Sequence, residues 1–491
     1  MSDLSMYGPG VRRHVATGKK IAAERQKQIK KAMKLKFDTI AVHGLYTMQE
    51  SLENNQGAII EPVYLSSSQA YRDADEMEAG LAYLIPTWCY TRIANPTTYY
   101  LEWTLALLEG YGSGVETSCV CTASGMSAIM SAVDPFLVKQ KKRGEEKINF
   151  VSTCQVYGGT FQQFQVRKME ERGIEVRWIR EPHNIKEWAR KIDKNTRFLY
   201  GELPSNPGQA FFDIKEVADL AHSHGLPLIC DATVATPALL RPIEHGADIV
   251  VQSGTKTLTA SGYGVSGALI SRKDITTKIK NDHPLFKADF ASYVKFLPYR
   301  DNGPALAPMN AIFTMGEIKT LRAKVDLFSR NTMAVARYLE KHPQVSQVDY
   351  LGLESHPLHE LASRYMKLVD SDDGSGNAIN RYGHLMSFHV KGSAKETRKV
   401  FDAFERIWRA TDLGRVKTVA TIPTISTHQQ QGEKARKMAG IPPQLIRLCV
   451  GGEHPDDVIA DIDQALHSIR RRKVVGQSAK KGKKKGSPRK K

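Results

Sequence analysis

Two side chains that could take part in chemistry stand directly after apolar runs. Lys256 follows the run ADIVVQ and has the hydroxyls of Ser253 and Thr255 beside it, and Asp231 ends the run PLICD. A lysine amine can bind an aldehyde covalently, and neighbouring hydroxyls can bind a phosphate. A buried carboxylate is costly unless it is paired, for example with a protonated ring nitrogen. Each position also has an ordinary explanation, namely a surface lysine in a turn and a carboxylate that caps a helix.

A glycine turn is the third feature with a chemical use. In SGMSAI (124–129), Gly125 lets the backbone approach a ligand closely, and the free N–H groups at a helix start suit a phosphate. Most short glycine turns bind nothing, so this motif is weak alone. A lysine, a carboxylate, a phosphate cradle and small hydroxyls together indicate an active site.

The elements that must position these residues alternate along the chain. From about residue 115 to 275, short apolar runs alternate with helical patterns, which is typical of a mainly parallel sheet with helices on both faces. Ligands bind such sheets beyond the carboxyl ends of the strands, where all three features fall. The predicted strands are ETSCVCTAS with its turn, INFVS, VRWI, FLYGEL, PLICD, DIVVQS and GALIS.

The pattern changes after about residue 307. One long helical stretch is predicted over 313–342, followed by the strands HLMSFHV and LIRLCVG and a final helix over 454–472. We therefore predict a separate, smaller α/β domain, with the boundary in the proline-rich join at 303–308.

The formal net charge of +18 is concentrated at the two ends of the chain. Residues 11–36 contain ten Lys or Arg and one acidic residue, and residues 470–491 contain twelve Lys or Arg and no acid. The first segment predicts a solvated basic helix or arm. Contact with nucleic acid or another acidic surface is the less favoured alternative, and a mitochondrial presequence is weaker still. The second segment is of low complexity and predicts disorder.

The six cysteines form no CxxC pair and have no histidine cluster beside them. This argues against a zinc site or a disulfide framework and predicts reduced core residues in a cytoplasmic protein. No apolar run reaches about 18 residues, so no membrane span is predicted. The first residues, MSDLSMYGPGVRR, lack the apolar core of a secretory signal.

Several motifs over roughly residues 37–470 closely resemble those of the Cys/Met-metabolism family of pyridoxal-phosphate enzymes. That family includes cystathionine γ-synthase and lyases, methionine γ-lyase and O-acetylhomoserine sulfhydrylase. The matching motifs, in the order of the family, are YTRIANPTTYYLE, TASGMSAI, VYGGTF, ELPSNP, CDATVATP, RPIEHGADIVVQSGTK and LIRLCVGGEHPDDVIADIDQAL. Two departures are Ala232, where the family usually has asparagine, and TLTASGYG after Lys256 in place of a Gly-His segment.

The resemblance implies pyridoxal 5′-phosphate as cofactor and a type I, aspartate-aminotransferase-like transferase fold. It implies an arm over 37–95 that contacts a neighbouring subunit, and the basic extension predicted from the charge pattern covers 1–36. The implied cofactor-binding domain covers 96–306 and the small domain 307–473, and the low-complexity tail that predicts disorder covers 474–491.

The resemblance also implies a role for each matching residue. Lys256 would carry the cofactor covalently and move protons, Asp231 would pair with the ring nitrogen, and Asn206 would contact the ring hydroxyl. Tyr157 would stack on the ring and act as acid or base near the leaving group. The implied phosphate-binding residues are Gly125, Met126, Ser253 and Thr255.

Substrate and subunit contacts are implied in the same way. Arg447 would bind the substrate carboxylate, a bidentate task that suits arginine, and Thr418 is a further substrate-binding candidate. Tyr90 and Arg92 would reach the phosphate of the neighbouring subunit's cofactor, which implies a homodimer within a homotetramer.

Three features favour the sulfhydrylase branch of the family. Gly159 stands where methionine γ-lyases carry a cysteine, Lys417 stands where cystathionine γ-lyases tend to carry a glutamate, and YLGLESHPLHELASRY resembles the sulfhydrylases. TASGMSAI and the segment after Lys256 resemble the lyases more. We expect γ-replacement on an O-acylhomoserine by sulfide or a thiol, giving homocysteine or methionine. A γ-lyase that converts methionine, homocysteine or cystathionine into 2-oxobutanoate, ammonia and a thiol is the alternative. A nucleic-acid-associated protein that binds through its basic ends is a remote one.

Overall fold

The computed structural model describes residues 4–138 and 147–469, and the chain folds around two β-sheets. The lysine-rich segment 474–491, for which the sequence predicts disorder, lies outside the described residues. Across the described ranges, every helix is too short or too polar to span a lipid bilayer.

The larger sheet has seven strands in the spatial order β1-β7-β6-β5-β4-β2-β3, and only β7 runs antiparallel to its neighbours. All seven residues of β4 are buried because helices cover both faces of the sheet. The predicted mainly parallel sheet is therefore confirmed. The strands are β1 (Thr117–Thr122), β2 (Asn149–Thr153), β3 (Glu175–Ile179), β4 (Thr196–Glu202), β5 (Leu228–Asp231), β6 (Ile249–Gln252) and β7 (Gly267–Arg272).

Helices precede, connect and follow these strands. The helix α9 begins at an N-cap, Asp213, whose side chain accepts from the N–H of Glu216, and it buries Ile214, Val217 and Ala221 on one face. The helices are α1 (Pro9–Ala32), α2 (Phe37–His43), α3 (Met48–Asn54), α4 (Ala74–Leu81), α5 (Pro96–Glu109), α6 (Gly125–Val133), α7 (Gly158–Gln162), α8 (Ile185–Lys191), α9 (Ile214–Ser223), α10 (Thr236–Leu239), α11 (Leu285–Ala288), α12 (Phe290–Val294) and α13 (Arg300–Asn302).

The C-terminal part contains the smaller sheet, in the order β10-β11-β12-β9-β8. Its strands are β8 (Val345–Asp349), β9 (Leu385–Val390), β10 (Trp408–Arg409), β11 (Val419–Thr421) and β12 (Leu445–Cys449). Its helices are α14 (Pro308–Ile318), α15 (Leu321–Glu340), α16 (His359–Tyr365), α17 (Ala394–Asp402), α18 (Gly432–Met438) and α19 (Pro455–His467).

The single helical stretch predicted over 313–342 is wrong in one respect. The structure divides it into α14 and α15, because Thr320 leaves helical geometry with φ −116° and ψ 18°. The apolar periodicity continues across the break, since α14 buries Met315 and Ile318 and α15 buries Leu321 and Val325.

The basic N-terminal helix α1 is docked on the protein along one face. Val11, Val15 and Ile29 are buried, and α1 packs against α4. Gly18 is needed for this approach, because a Cβ there would lie 2.6 Å from the side chain of Ile85. The lysines of the helix are exposed on its other faces.

Candidate active site

A cavity of about 180 Å³ lies at the carboxyl ends of β4, β5 and β6, where β12 and the loop before β11 approach the large sheet. It brings together nine of the predicted residues: Gly125, Met126, Tyr157, Asn206, Asp231, Ser253, Thr255, Lys256 and Arg447. A larger cavity, of about 600 Å³, lies between the 82–103 region and α12 and contains none of them.

Lys256 projects from the turn after β6. Its side chain is partly exposed, and its Nζ lies 2.8 Å from Oδ1 of Asp412, with which it forms an ion pair. The amine is therefore accessible from the cavity and has a carboxylate within hydrogen-bond distance.

Asp231 ends β5 as a buried carboxyl group with few partners. Its Oδ1 accepts from the N–H of Thr233 at 3.0 Å, and the hydroxyl of Tyr200 lies 3.5 Å from its Oδ2. The next helix, α10, has Ala235 at its N-cap, so Asp231 does not cap a helix. Burial raises the pKa of Asp231, and a cationic ring nitrogen would offset the cost of the buried charge.

Glu202 is a second buried carboxyl group, at the end of the adjacent strand β4. It accepts from the N–H of Tyr157 at 2.6 Å and from the N–H of Asn206 at 2.8 Å. Burial and the neighbouring Asp231 raise its pKa well above its usual value. Glu202 therefore fixes the backbone of two residues that line the cavity.

The glycine turn forms a tight cradle at the start of α6. Ser124 and Ser127 form a capping box, and the first turn of any helix leaves N–H groups without helical partners. A Cβ at Gly125 would lie 2.6 Å from the Cβ of Ser253, so these two predicted phosphate-binding residues are in close contact. The hydroxyl of Thr255 accepts from the N–H of Ser266. Such an arrangement can hold a phosphate group.

Arg447, on β12, is the buried cation of the cavity. Its Nη1 donates to Oδ1 of Asn206 at 3.2 Å, and its Nη2 donates to the carbonyl oxygen of Asp412 at 2.6 Å. Within the described residues its Nε–H has no hydrogen-bond partner. Burial lowers the pKa of Arg447. A buried guanidinium with a free donor is suited to a substrate carboxylate.

Tyr157 stands at the mouth of the cavity, directly before α7. Its side chain is 39% exposed, which leaves the phenol accessible to a bound molecule. A Cβ at Gly159 would lie 2.6 Å from the ring of Tyr157 and 3.2 Å from Sδ of Met126. The ring therefore occupies the space that a side chain at position 159 would need.

Comparison with known proteins identifies the family of this chain. The family described as Cys/Met metabolism PLP-dependent enzyme matches residues 38–467. The chain belongs to this family. It is 33% identical over 451 residues to homocysteine synthase of Schizosaccharomyces pombe, covering 88% of this chain and 98% of the relative. It is 31% identical over 433 residues to L-methionine γ-lyase of Fusobacterium nucleatum, with the same coverage.

A solved structure from Campylobacter jejuni, described as a putative O-acetylhomoserine (thiol)-lyase with N′-pyridoxyl-lysine-5′-monophosphate, has the same fold. The TM-score is 0.77 and the identity 29%, over 88% of this chain and all of that one. The protein is thus a pyridoxal-phosphate-dependent enzyme of the Cys/Met-metabolism family, with the transferase fold that the sequence predicted.

The residues of this family member fit the cofactor. The cavity offers an accessible amine at Lys256, a buried carboxyl at Asp231 that lacks a charged partner among the described residues, and the tight cradle at Gly125. These are the groups required by an aldehyde, a protonated ring nitrogen and a phosphate.

Three predicted residues lie away from the cavity lining. Thr418 donates from its hydroxyl to Oε2 of Glu453 at 2.8 Å and accepts from the N–H of Gly451 at 3.0 Å, so this hydroxyl is engaged within the small domain. The guanidinium of Arg92 lies 5.3 Å over the ring of Tyr90 and donates to the carbonyl oxygen of Arg300. Tyr90 is 43% exposed.

Among the residues of the cavity region that sequence reasoning missed are Glu202, Thr233 and Asp412. Glu202 ends β4 and Thr233 follows β5, so the rule that identified Asp231 could have found them. Asp412 has no such signal, because it lies in an irregular loop of the other sheet.

Proposed function

We propose that the enzyme catalyses γ-replacement on an O-acylhomoserine, with sulfide or a thiol as the nucleophile and homocysteine or methionine as the product. This proposal depends mainly on the position of Gly159, which has no side chain and lies against the ring of Tyr157. Methionine γ-lyases share a cysteine at the position that corresponds to Gly159. Similarity to a protein named homocysteine synthase supports the same reaction.

Bound in this cavity, pyridoxal 5′-phosphate supplies an electron-accepting ring that makes the Cα proton of an amino-acid substrate acidic. Lys256 holds the cofactor covalently and moves the proton at Cα. Asp231 keeps the ring nitrogen protonated, because its buried carboxylate is stabilised by a positive partner. Asn206 contacts the ring hydroxyl. The phosphate is held by Gly125, Met126, Ser253 and Thr255.

The substrate is oriented by the opposite wall of the cavity. Arg447 binds the substrate carboxylate through its free Nε–H, and its other nitrogens stay bound to Asn206 and Asp412. Tyr157, at the mouth, donates or accepts the proton near the leaving group. A proton donor there lowers the barrier to loss of the γ-substituent.

The alternative is a γ-lyase, which TASGMSAI and the similarity to L-methionine γ-lyase favour. Both reactions share the steps at Cα and differ in whether a thiol or water intercepts the substrate after the γ-substituent has left. Binding of a thiol and access of water to the cavity therefore decide between them.

We also propose that two copies complete each other's sites, and that dimers pair into a homotetramer. Tyr90 and Arg92 would reach the phosphate of the neighbouring subunit's cofactor. Their position outside the cavity of their own chain and the exposure of Tyr90 support this.

We also propose that the enzyme is located in the cytoplasm. Its six unpaired cysteines, five of which are buried, support this location.

A product assay tests the reaction. O-acetylhomoserine with sulfide, and methionine alone, are compared for homocysteine and for 2-oxobutanoate. We expect homocysteine as the main product, with 2-oxobutanoate from methionine at a much lower rate. Faster formation of 2-oxobutanoate from methionine would establish the lyase instead.

Two variants at one position sharpen the assay. Gly159→Cys should displace the ring of Tyr157 and shift the ratio of products toward 2-oxobutanoate. Gly159→Ala displaces the ring without adding a thiol and serves as the matched control. Equal product ratios in wild type and Gly159→Cys would remove the observation on which γ-replacement depends.

A further inference from the structure

The carboxylate of Asp412 touches the reactive nitrogen of the site. Its Oδ1 lies 2.8 Å from Nζ of Lys256 and also accepts from the N–H of Leu413 at 2.9 Å. Its Oδ2 accepts from Nε of Arg415. Both oxygens are thus engaged, and the carboxylate has one defined orientation toward Lys256.

Backbone contacts fix the loop that carries Asp412 against the segment after Lys256. The N–H of Val416 donates to the carbonyl oxygen of Ala260 at 3.0 Å. Gly414 has a φ of +72°, and a Cβ there would lie 2.7 Å from the backbone nitrogen of Thr257. Only glycine fits this approach. Backbone packing between the loop before β11 and the segment after Lys256 therefore holds Asp412 close to Lys256. The contact does not depend only on the conformations of the two side chains.

The charges around this pair are unequal. Asp412 faces three cations: Lys256, Arg415 and, at its carbonyl oxygen, Arg447. Burial alone would raise the pKa of Asp412, but the charge of Lys256 and hydrogen bonds from Lys256 and Arg415 hold it below its usual value. The nearby thiol of Cys449 is kept neutral, since burial raises its pKa. Asp412 is thus the charged carboxylate in contact with Lys256.

We propose that Asp412 is a catalytic residue that keeps the proton on the Lys256 nitrogen while the cofactor is attached to it. The inference rests on the proposed role of Lys256. A carboxylate in hydrogen-bond contact stabilises the positive nitrogen over the neutral one. A protonated nitrogen withdraws electrons from the cofactor carbon bonded to it, which makes that carbon easier for the substrate's amino group to attack.

Asp412 stays a carboxylate when the amino group of the substrate replaces Lys256 on the cofactor. The proton that the Lys256 nitrogen held would pass to the incoming nitrogen, so Lys256 would leave as the neutral amine that is needed to remove the proton at Cα. One carbon–nitrogen bond forms as another breaks, and no proton has to move to Asp412.

The test is a pH titration of the visible absorbance of the purified holoenzyme, which reports whether the nitrogen bound to the cofactor is protonated. Asp412→Asn should lower the midpoint of the absorbance change by about one pH unit, at the low end of the range for a close opposite charge because the pair is partly exposed. Asp412→Ser, which also lacks the charge, should likewise lower the midpoint. Asp412→Glu should retain most of the wild-type midpoint.

Arg415→Gln is the matched control. It breaks the other contact of the carboxylate and the contact with the carbonyl oxygen of Thr259, but it leaves the charge of Asp412 beside Lys256. Its midpoint should not fall. A fall equal to that of Asp412→Asn would assign the effect to a loosened loop and overturn the proposal.

Failure of the inference is distinguishable from failure of the proposed role of Lys256. If Asp412→Asn binds the cofactor and has the wild-type midpoint, the inference alone is wrong. If borohydride reduction fixes the cofactor to another lysine, both are wrong.

Discussion

Glu202 and Asp231 stand opposite each other as register partners at the ends of the parallel strands β4 and β5. Two buried carboxyl groups therefore share the floor of one cavity, and burial raises the pKa of both. A positive ring nitrogen beside Asp231 would stabilise its charge. Without the cofactor, this pair favours a protonated state, which links the stability of the apoprotein to pH.

The apoprotein should lose stability as the pH rises. A carboxyl whose pKa is raised by folding favours the folded state below its unfolded pKa, and that advantage is lost as the pH rises through the folded value. Glu202→Gln mimics the protonated group, so its loss of stability between about pH 6 and pH 9 should be smaller than that of the wild type. Denaturant unfolding of both apoproteins at the two pH values measures this. Parallel pH profiles would contradict it.

Lys256→Ala should abolish covalent attachment of pyridoxal 5′-phosphate. The purified wild-type protein should be yellow, and borohydride reduction followed by peptide mapping should find the cofactor on Lys256. The variant should bind the cofactor reversibly and lose it on dialysis. A reduced adduct on another lysine, or a colourless protein that takes up no cofactor, would refute the assignment.

Asp231→Asn should retain the fold and the cofactor but lose most of its turnover. Asparagine has nearly the same shape but cannot hold the ring nitrogen in its protonated form. We expect kcat to fall by roughly 10²-fold or more, the usual loss when one electrostatic contact to the reacting centre is removed. Steady-state kinetics with saturating cofactor measure it, and turnover near that of the wild type would rule out this role.

The strand-end residues could be predicted because topology alone places them. A parallel sheet brings the carboxyl ends of its strands to one edge, so Lys256 and Asp231 fall together without knowledge of side-chain packing. Asp412 could not be predicted in this way. It reaches Lys256 only because Gly414 lets a loop of the other sheet pack on the backbone of Thr257, which the apolar pattern does not encode.

Two other differences have the same kind of cause. The break at Thr320 leaves the apolar pattern unchanged, because buried residues continue on both sides of it. Thr418, a substrate-binding candidate, follows Lys417, a residue that favours the sulfhydrylase branch, yet its hydroxyl is bound to Glu453 and Gly451. Hydrogen-bond partners distant in sequence therefore fix the orientation of this hydroxyl.

Arg447→Lys should weaken substrate binding more than it changes the chemical step. Lysine keeps the positive charge but loses the planar, multiply donating group that contacts Asn206 and Asp412. We expect a rise in KM of roughly 10- to 100-fold, as for lost hydrogen bonds to a charged group. Kinetics with O-acetylhomoserine or methionine, whichever is turned over, measure it. An unchanged KM would mean that the substrate carboxylate binds elsewhere.

Sharing of active sites between subunits can be tested by complementation. Lys256→Ala removes the amine, and Arg92→Ala removes a phosphate contact that is proposed to serve the neighbouring site. A mixed dimer of the two variants has one site with both defects and one site with neither. Each variant alone should be nearly inactive. The mixed dimer can be obtained by coexpression of the two variants with different affinity tags and purification on both tags, and it should have about half of the activity of a wild-type dimer.

Asp231→Asn serves as the matched control, because Asp231 and Lys256 line the same cavity of one chain. Its mixed dimer with Lys256→Ala has one defect in each site and should stay inactive. If the Arg92→Ala mixture also stays inactive, Arg92 acts within its own chain and the shared site is wrong.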